Sequence, residues 1–168
     1  MASLAYIGLG SNLAHPRRQL ARALAEIARL PRTRLIASSR NYLSAPVGCA
    51  GPQPDYVNAA AALRTSLGAK ALLARLRGLE RRHGRRRHAD ACNAPRTLDL
   101  DLLLFDRRRL RQTQLTLPHP RMHERAFVLV PLLEVAPSIS IPGRGAASRR
   151  LRAVRGQRIE RTRTHFWR

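Results

Sequence analysis

Apolar and polar positions change period several times along the chain, and each change marks an element. The stretch "LAYIGLG" (4–10) is almost wholly apolar and stops at glycine, serine and asparagine, which predicts a buried strand. "RRQLARALAEIARL" follows, with Leu20, Leu24 and Ile27 at helical spacing. "TRLIASSRNYLS" (33–44) predicts a second strand, and the proline- and glycine-rich "APVGCAGPQP" a long loop. "DYVNAAAALRTS" (55–66) fits a third strand, although its alanines leave helix open. "AKALLARLRGLERRHG" is amphipathic: Leu72, Leu73, Leu76 and Leu79 share a face, and Gly84 suits the stop. A second polar loop, "RRRHADACNAP", leads into a strand at "DLDLLLF". The order β-α-β-β-α-β predicts an α+β, ferredoxin-like sandwich.

Beyond it, "QLTLPHPRMHERAFVLVPLLEVAP" reads as a short strand, a turn and a helical stretch interrupted by Pro131. Residues 1–142 then form the main domain. The arginine-rich residues 143–168 form a C-terminal β/α extension of it, read as a poorly specified helix or a solvated segment.

Within "NAPRTLDLDLLLF" (93–105), leucines 98, 100, 102 and 104 alternate with Asp99 and Asp101. On a strand the leucines face a core and both carboxylates project from the opposite side. Two adjacent like charges repel, and burying them unpaired is costly, so something positive must compensate. Arg85, Arg87 and Arg96 lie 14, 12 and 3 residues ahead of Asp99. Paired carboxylates with arginines nearby make a seat for Mg²⁺, which takes few protein oxygens and completes its shell with water and phosphates. The same pattern, taken alone, also describes a surface strand whose aspartates simply pair with arginines.

At 168 residues and 44% hydrophobic, the chain is long enough for one domain with a real core. No apolar run is long enough to span a membrane, and "MASLAYIGLGSNL" has no basic segment ahead of an apolar one. Cys49 and Cys92 suggest no disulfide framework, so the cytoplasm is the expected compartment. The net charge of +22 would attract polyanions nonspecifically. Yet Lys70 is the only lysine, which points to a coding bias toward arginine as the source of most of this charge.

That lone lysine also excludes chemistry. Lys70 sits in "LGAKAL", without the glycines or hydroxyl of a phosphate-binding loop, and a kinase-type strand lysine is missing. "GLGSNL" begins like a dinucleotide fingerprint, but Leu13 occupies the third glycine position. His119 and His123 are four apart, yet Pro120 disturbs a helix between them and no third zinc ligand is evident. Glu80, followed by "RRH", is expected on the polar side of its helix as an ion-pair partner. Tyr56 and Asn58, two apart on one strand face, offer a ring to stack and an amide to read a polar heterocycle. An RNA-binding ferredoxin-like domain needs aromatics on its sheet and a glycine-aromatic signature; aromatics are 4% of this chain and the signature is absent.

Taken together, several segments resemble the 6-hydroxymethyl-7,8-dihydropterin pyrophosphokinase family, over residues 4 to about 137. They are "YIGLGSNL", Y-x-S-x-P-x-G, "QPDYVNAA", LE-x-x-x-GR-x-R, "PRTLDLDLLLF", "LPHPRMHERAFVL" and "PLLEVAP". The resemblance implies transfer of pyrophosphate from ATP to the pterin hydroxymethyl group, releasing AMP, in folate biosynthesis. It implies two Mg²⁺ on Asp99 and Asp101. Ser44, Ala45, Val47, Tyr56, Asn58 and Phe127 would line a pterin pocket. Arg77, Glu80, Arg87, Leu102, Thr116, His119 and Arg125 would contact ATP, while Arg85 and Arg96 would neutralise the moving phosphates. The loops 45–54 and 85–95 would close over the substrates, and oxidation of Cys49 or Cys92 there would impair closure. Cys92 and Asn93 stand where the family often has an arginine and an aromatic, and Gln114 where it often has a basic residue, so no role is carried into residues 88–93. A monomer is expected, and an inactive relative would have lost a metal aspartate or the pterin asparagine; both remain.

Overall fold

The computed structural model describes residues 1–48, 51–85 and 94–162. The chain runs through β1 (Ser3–Ser11), α1 (Pro16–Ala28), β2 (Thr33–Ser38), β3 (Tyr42–Ser44), β4 (Tyr56–Thr65) and α2 (Ala69–Arg82). It continues with β5 (Asp99–Phe105), the hairpin β6 (Leu110–Gln112) and β7 (Leu115–Leu117), a 3-10 turn (Met122–Glu124) and α3 (Ala126–Val135). A second small hairpin, β8 (Ser140–Ile141) and β9 (Gly145–Ala146), precedes α4 (Ala147–Ala153) and β10 (Ile159–Arg161).

The main sheet is antiparallel throughout, in the order β10-β3-β4-β1-β5, with β2 also paired to β4. Both of its faces are covered. On one face Ala5, Ile7 and Leu9 of β1, Val57, Ala59, Ala61 and Leu63 of β4, and Leu100 and Leu102 of β5 pack on α1 and α2. On the other, Tyr6, Ala60, Ala62, Leu103 and Leu104 pack on α3, with Ile141 and Ala147 beside them. Burial on both faces explains why β4 reads as an unbroken apolar run rather than an alternation. It also explains why "NAAAA" is a strand: pairing along its length to β1 and burial on each side override alanine's helical preference.

Three expectations are corrected. Residues 33–44 form two strands, because Ser39 leaves the ladder. Its N–H donates to the Ala60 carbonyl at 2.8 Å while its own Oγ accepts from the Ala60 N–H at 2.9 Å, so a side chain replaces the next backbone rung. Leu104 does not join Leu98, Leu100 and Leu102. The β1–β5 register steps from Tyr6↔Leu104 to Ile7↔Leu102, and this bulge turns both Leu103 and Leu104 toward α3. Nor does Pro131 interrupt α3, which runs through it; the ring removes one helical donor at the sixth of ten residues, and all ten remain helical. The tail forms a helix and adds β10 to the sheet through Ile159↔Ser44 and Arg161↔Tyr42.

Only one end of the α3-covered face stays open. There β1 contributes Gly8 and Gly10, β4 contributes Tyr56 and Asn58, and β5 contributes Asp99 and Asp101. The register sets Gly8 between Ala60 and Asp101, and Gly10 between Asn58 and Asp99.

Behind the sheet, His83 locks α2 to α1. Gln19 Nε2 donates to the Ala14 carbonyl, which leaves Gln19 Oε1 facing His83 Nδ1 at 2.6 Å as acceptor. The His83 side chain has no exposed surface, and burial lowers its pKa despite Glu26 Oε2 at 3.4 Å. A histidine held neutral by the fold contributes stability that is complete above its unfolded pKa of about 6.5 and lost as pH falls below it. We predict that His83→Gln costs stability at pH 8 and progressively less toward pH 5. Thermal melts of both proteins across that range check it; a pH-independent difference would contradict the neutral-histidine account.

Candidate active site

The chain delivers Arg85 to the aspartates through a helix stop. Gly84, at φ +82°, takes the left-handed conformation that glycine accepts most easily. The Gly84 N–H then reaches the Arg81 carbonyl and the Arg85 N–H the Glu80 carbonyl, at 3.0 and 3.1 Å. This Schellman closure sets the Arg85 side chain beside Glu80 and Asp99, and its Nη1 donates to a carboxylate oxygen of each. Arg96 Nη1 takes the second Asp99 oxygen at 2.7 Å.

Arg96 is itself fixed from β1. The Asn12 Oδ1 accepts from the Arg96 N–H at 2.8 Å, and the Asn12 N–H donates to the Arg96 carbonyl at 3.0 Å. The Asn12 amide donates onward to Gln53 and to the Pro54 carbonyl, tying the loop ahead of β4 to the same point.

The two carboxylates therefore sit in different fields. For Asp99, burial disfavours charge, but Arg85 and Arg96 outweigh it and hold the carboxyl below its ordinary range. Asp101 has no such clamp. Burial, then the negative charges of Asp99 and Glu80, push its pKa up to about 7. His119 Nε2 stands 4.0 Å from it, yet burial and the nearby Arg125 lower that histidine to about 4, so it brings no charge at neutral pH.

Next to the aspartates opens a cleft. It is lined by Ser44, Ala45, Val47, Tyr56, Asn58 and Phe127, and by Arg96, Asp99, Asp101 and Arg125, so the whole expected pterin wall and the carboxylates meet in one place. Asn58 Nδ2 donates to Ser44 Oγ at 2.7 Å, which fixes the amide and leaves its carbonyl and second N–H for a ligand edge. Arg125 lies over the Phe127 ring, 5.5 Å from its centre.

The residues expected at ATP are more dispersed. Arg77 and Glu80 line a shallower depression with Arg85, while Thr116 and His119 line a groove between the two small hairpins. Glu80 is not on the polar side of its helix. It lies four residues after Leu76, on the apolar stripe, is 2% exposed, and accepts from the Leu100 N–H at 2.8 Å. The Leu102 side chain is in the core, so any contact it makes with a nucleotide comes from its backbone. Arg87, Cys49, Cys92 and Asn93 lie outside the described residues.

Sequence reasoning missed Gly8, Gly10 and Arg121, all of which line the cleft. A Cβ on Gly10 would stand 3.3 Å from Asn58 Oδ1 and crowd it. Glycines alternating with core residues in "YIGLG" were the legible signal for a strand face without side chains at those two positions. Arg121 carried none, being one arginine among many.

The family model of 7,8-dihydro-6-hydroxymethylpterin-pyrophosphokinase (HPPK) matches residues 6–137. The 2-amino-4-hydroxy-6-hydroxymethyldihydropteridine pyrophosphokinase of Pseudomonas aeruginosa is 48% identical over 142 residues, covering 84% of this chain and 86% of that protein. Its Haemophilus influenzae counterpart is 45% identical over 141 residues, covering 82% and 84%. Among solved structures, the Plasmodium falciparum HPPK-DHPS with pteroate superposes with a TM-score of 0.72 at 10% identity. That match covers 91% of this chain and 42% of the longer one, and shows likeness of fold. With the matched segment spanning β1 to the end of α3, which carry every described cleft residue, the chain belongs to the HPPK family.

Proposed function

We propose that the cleft transfers the β,γ-pyrophosphoryl group of ATP to the hydroxymethyl group of 6-hydroxymethyl-7,8-dihydropterin, releasing AMP, in the route to folate. The observation that carries this reading is the junction of two unlike walls. A flat apolar pocket with one fixed amide opens directly onto a pair of carboxylates ringed by arginines.

The carboxylates fit divalent magnesium. Asp99 and Asp101 offer hard oxygen donors from one strand face, and Asp101 has a raised pKa that a nearby cation would reverse. No group of three or more acidic, histidine or cysteine side chains surrounds a metal position among the described residues, which suits an ion that keeps water and phosphate oxygens in its shell. Two Mg²⁺ held by Asp99 and Asp101 would neutralise the triphosphate and orient the oxygens that attack and leave.

The protein's own part is placement. Tyr56 and Phe127 flank the pterin ring, and the Asn58 amide pairs with its polar edge, so the hydroxymethyl points along the cleft toward Asp101. The hydroxymethyl oxygen bonds to the β-phosphorus while that phosphorus releases the oxygen that leaves with AMP; the hydroxyl proton passes to solvent. No strong base is required, since phosphoryl chemistry depends on alignment and charge. Arg85 and Arg96, which clamp Asp99, transfer part of their hydrogen bonding to the phosphates as these arrive. Arg121 and Arg125 add positive charge from the opposite wall, and neutral His119 serves as a hydrogen-bonding contact. Arg77, Glu80, Leu102 and Thr116 hold the nucleoside, with Arg87 as a further contact outside the described residues.

The core reads as ferredoxin-like, a reading supported by its antiparallel order and by a helix crossing after β1 and another after β4. A monomeric enzyme is part of the same proposal. No helix among the described residues is long and apolar enough to cross a membrane, in keeping with a cytoplasmic catalyst.

Three outcomes are expected. Asp101→Ala lowers pterin-dependent AMP formation at least about 100-fold, followed by nucleotide chromatography. Asn58→Ala raises the KM for pterin about tenfold while leaving the KM for ATP near its wild-type value. Asp101→Asn is inactive but, in metal-free buffer, melts higher than wild type. A raised carboxyl pKa makes the fold favour the protonated form, so the wild type loses stability as pH rises from about 4 to about 7. The gain from asparagine therefore grows across that window and is absent below it. Unchanged turnover in Asp101→Ala would contradict the metal role.

A further inference from the structure

The last described segment, residues 157–162, lies beyond the part of the chain matched by the family model, yet it touches the cleft wall at several points. Gln157 is the first. Its Oε1 accepts from the Ala126 N–H at 2.9 Å, at the start of α3, and its Nε2 donates to the Glu124 carbonyl at 2.8 Å. No side chain of the N-cap residue caps this helix, so Gln157 from the tail supplies the partner. Ala126 stands between Arg125 and Phe127, both of which line the cleft.

The second point is Arg158, whose Nη2 donates to Asp55 Oδ2. Asp55 immediately precedes Tyr56, the aromatic on the other side of the cleft. Strand β10 is the third. It pairs with β3 so that Ile159 stands opposite Ser44, the residue whose hydroxyl accepts from the Asn58 amide. Past it, the Thr162 N–H reaches the Asn41 carbonyl at 2.9 Å and extends the same edge.

Ser44 and Tyr56 already stand opposite each other across the β3–β4 pairing; tail residues 157–159 add a tie beside each and connect both to the start of α3 at Phe127. None of these tail residues lines the cleft itself. Surface ion pairs contribute little to stability, and Arg158 and Asp55 are 56% and 39% exposed, so their bond acts chiefly by fixing where the strand begins. The bond from the Ala126 N–H to Gln157 is more sheltered, while the one from Gln157 to the Glu124 carbonyl is exposed.

We infer that residues 157–161 are a strap that sets the spacing of the pterin-binding walls, with Gln157 and Arg158 as positioning residues. The strap rests on the pterin reading of the cleft. It concerns the aromatic-and-amide end, remote in its contacts from Asp99, Arg85 and Glu80. Loosening it therefore separates the two substrates: affinity for the planar heterocycle falls while nucleotide and metal handling stay intact. A tail that merely closes the sheet edge would lower stability without that selectivity.

The test is steady-state kinetics of the full-length protein with both substrates varied, beside thermal melts. Arg158→Ala, an exposed change that leaves the core untouched, and Gln157→Leu are each expected to raise the pterin KM about fivefold, with the KM for ATP within twofold of wild type. Gln157→Glu keeps the acceptor for the Ala126 N–H and loses the donor to Glu124, so it falls between. The exchanged pair Asp55→Arg with Arg158→Asp restores most of what Arg158→Ala loses. An active wild type whose variants show unchanged pterin KM, or equal rises in both KM values, overturns the strap alone. A wild type that turns over ATP without regard to pterin overturns the pterin reading and the strap with it.

Discussion

Two carboxylates two residues apart on β5 are the constraint around which the rest of the site is arranged. Asp99 cannot be charged in that position without help, and the help comes from Arg85 and Arg96 on its two oxygens. Arg85 arrives because α2 ends in a left-handed glycine; Arg96 arrives because Asn12 grips its backbone on both sides. Glu80 joins the same group from inside the helix, holding the Leu100 N–H and the Arg85 guanidinium together. Among the described residues Asp101 has no close cationic partner, and burial with the charges of Asp99 and Glu80 pushes its pKa up to about 7.

This arrangement depends on a sheet that is covered on both sides. One face is filled by α1 and α2 along its length. The other is filled by α3 at one end only, so glycines, an asparagine and a tyrosine on that face remain reachable at the other end. The period of two in the strands then sorts every residue into core or cleft without further instruction. At Leu103 the bulge breaks that period where the open face gives way to the α3 core. The position of the site is thus a consequence of where α3 begins.

Most of this was legible in the sequence, and the reasons for the exceptions are physical. The order of elements followed from period and punctuation, and Gly84 was read correctly as a helix stop. The residues expected at the pterin came from motif positions, and all six line one cleft. Local pattern could not foresee events decided between strands. Ser39 leaves its ladder only because Ala60 is opposite, and Leu103 bulges only because Tyr6 and Ile7 set the register. Glu80 was misplaced because a charged residue was assumed to avoid an apolar stripe, although its spacing from Leu76 already put it there. Arg121 was hidden by abundance: in a chain with 32 basic residues, charge has little power to single one out.

The central claim concerns which bond of ATP is broken. Phosphorus NMR of a reaction with ATP, Mg²⁺ and 6-hydroxymethyl-7,8-dihydropterin observes that bond directly. The account predicts AMP and a pterin diphosphate ester rising together in equal amounts, with no nucleotide diphosphate. ADP with a pterin monophosphate would place the attack on the terminal phosphorus and contradict it.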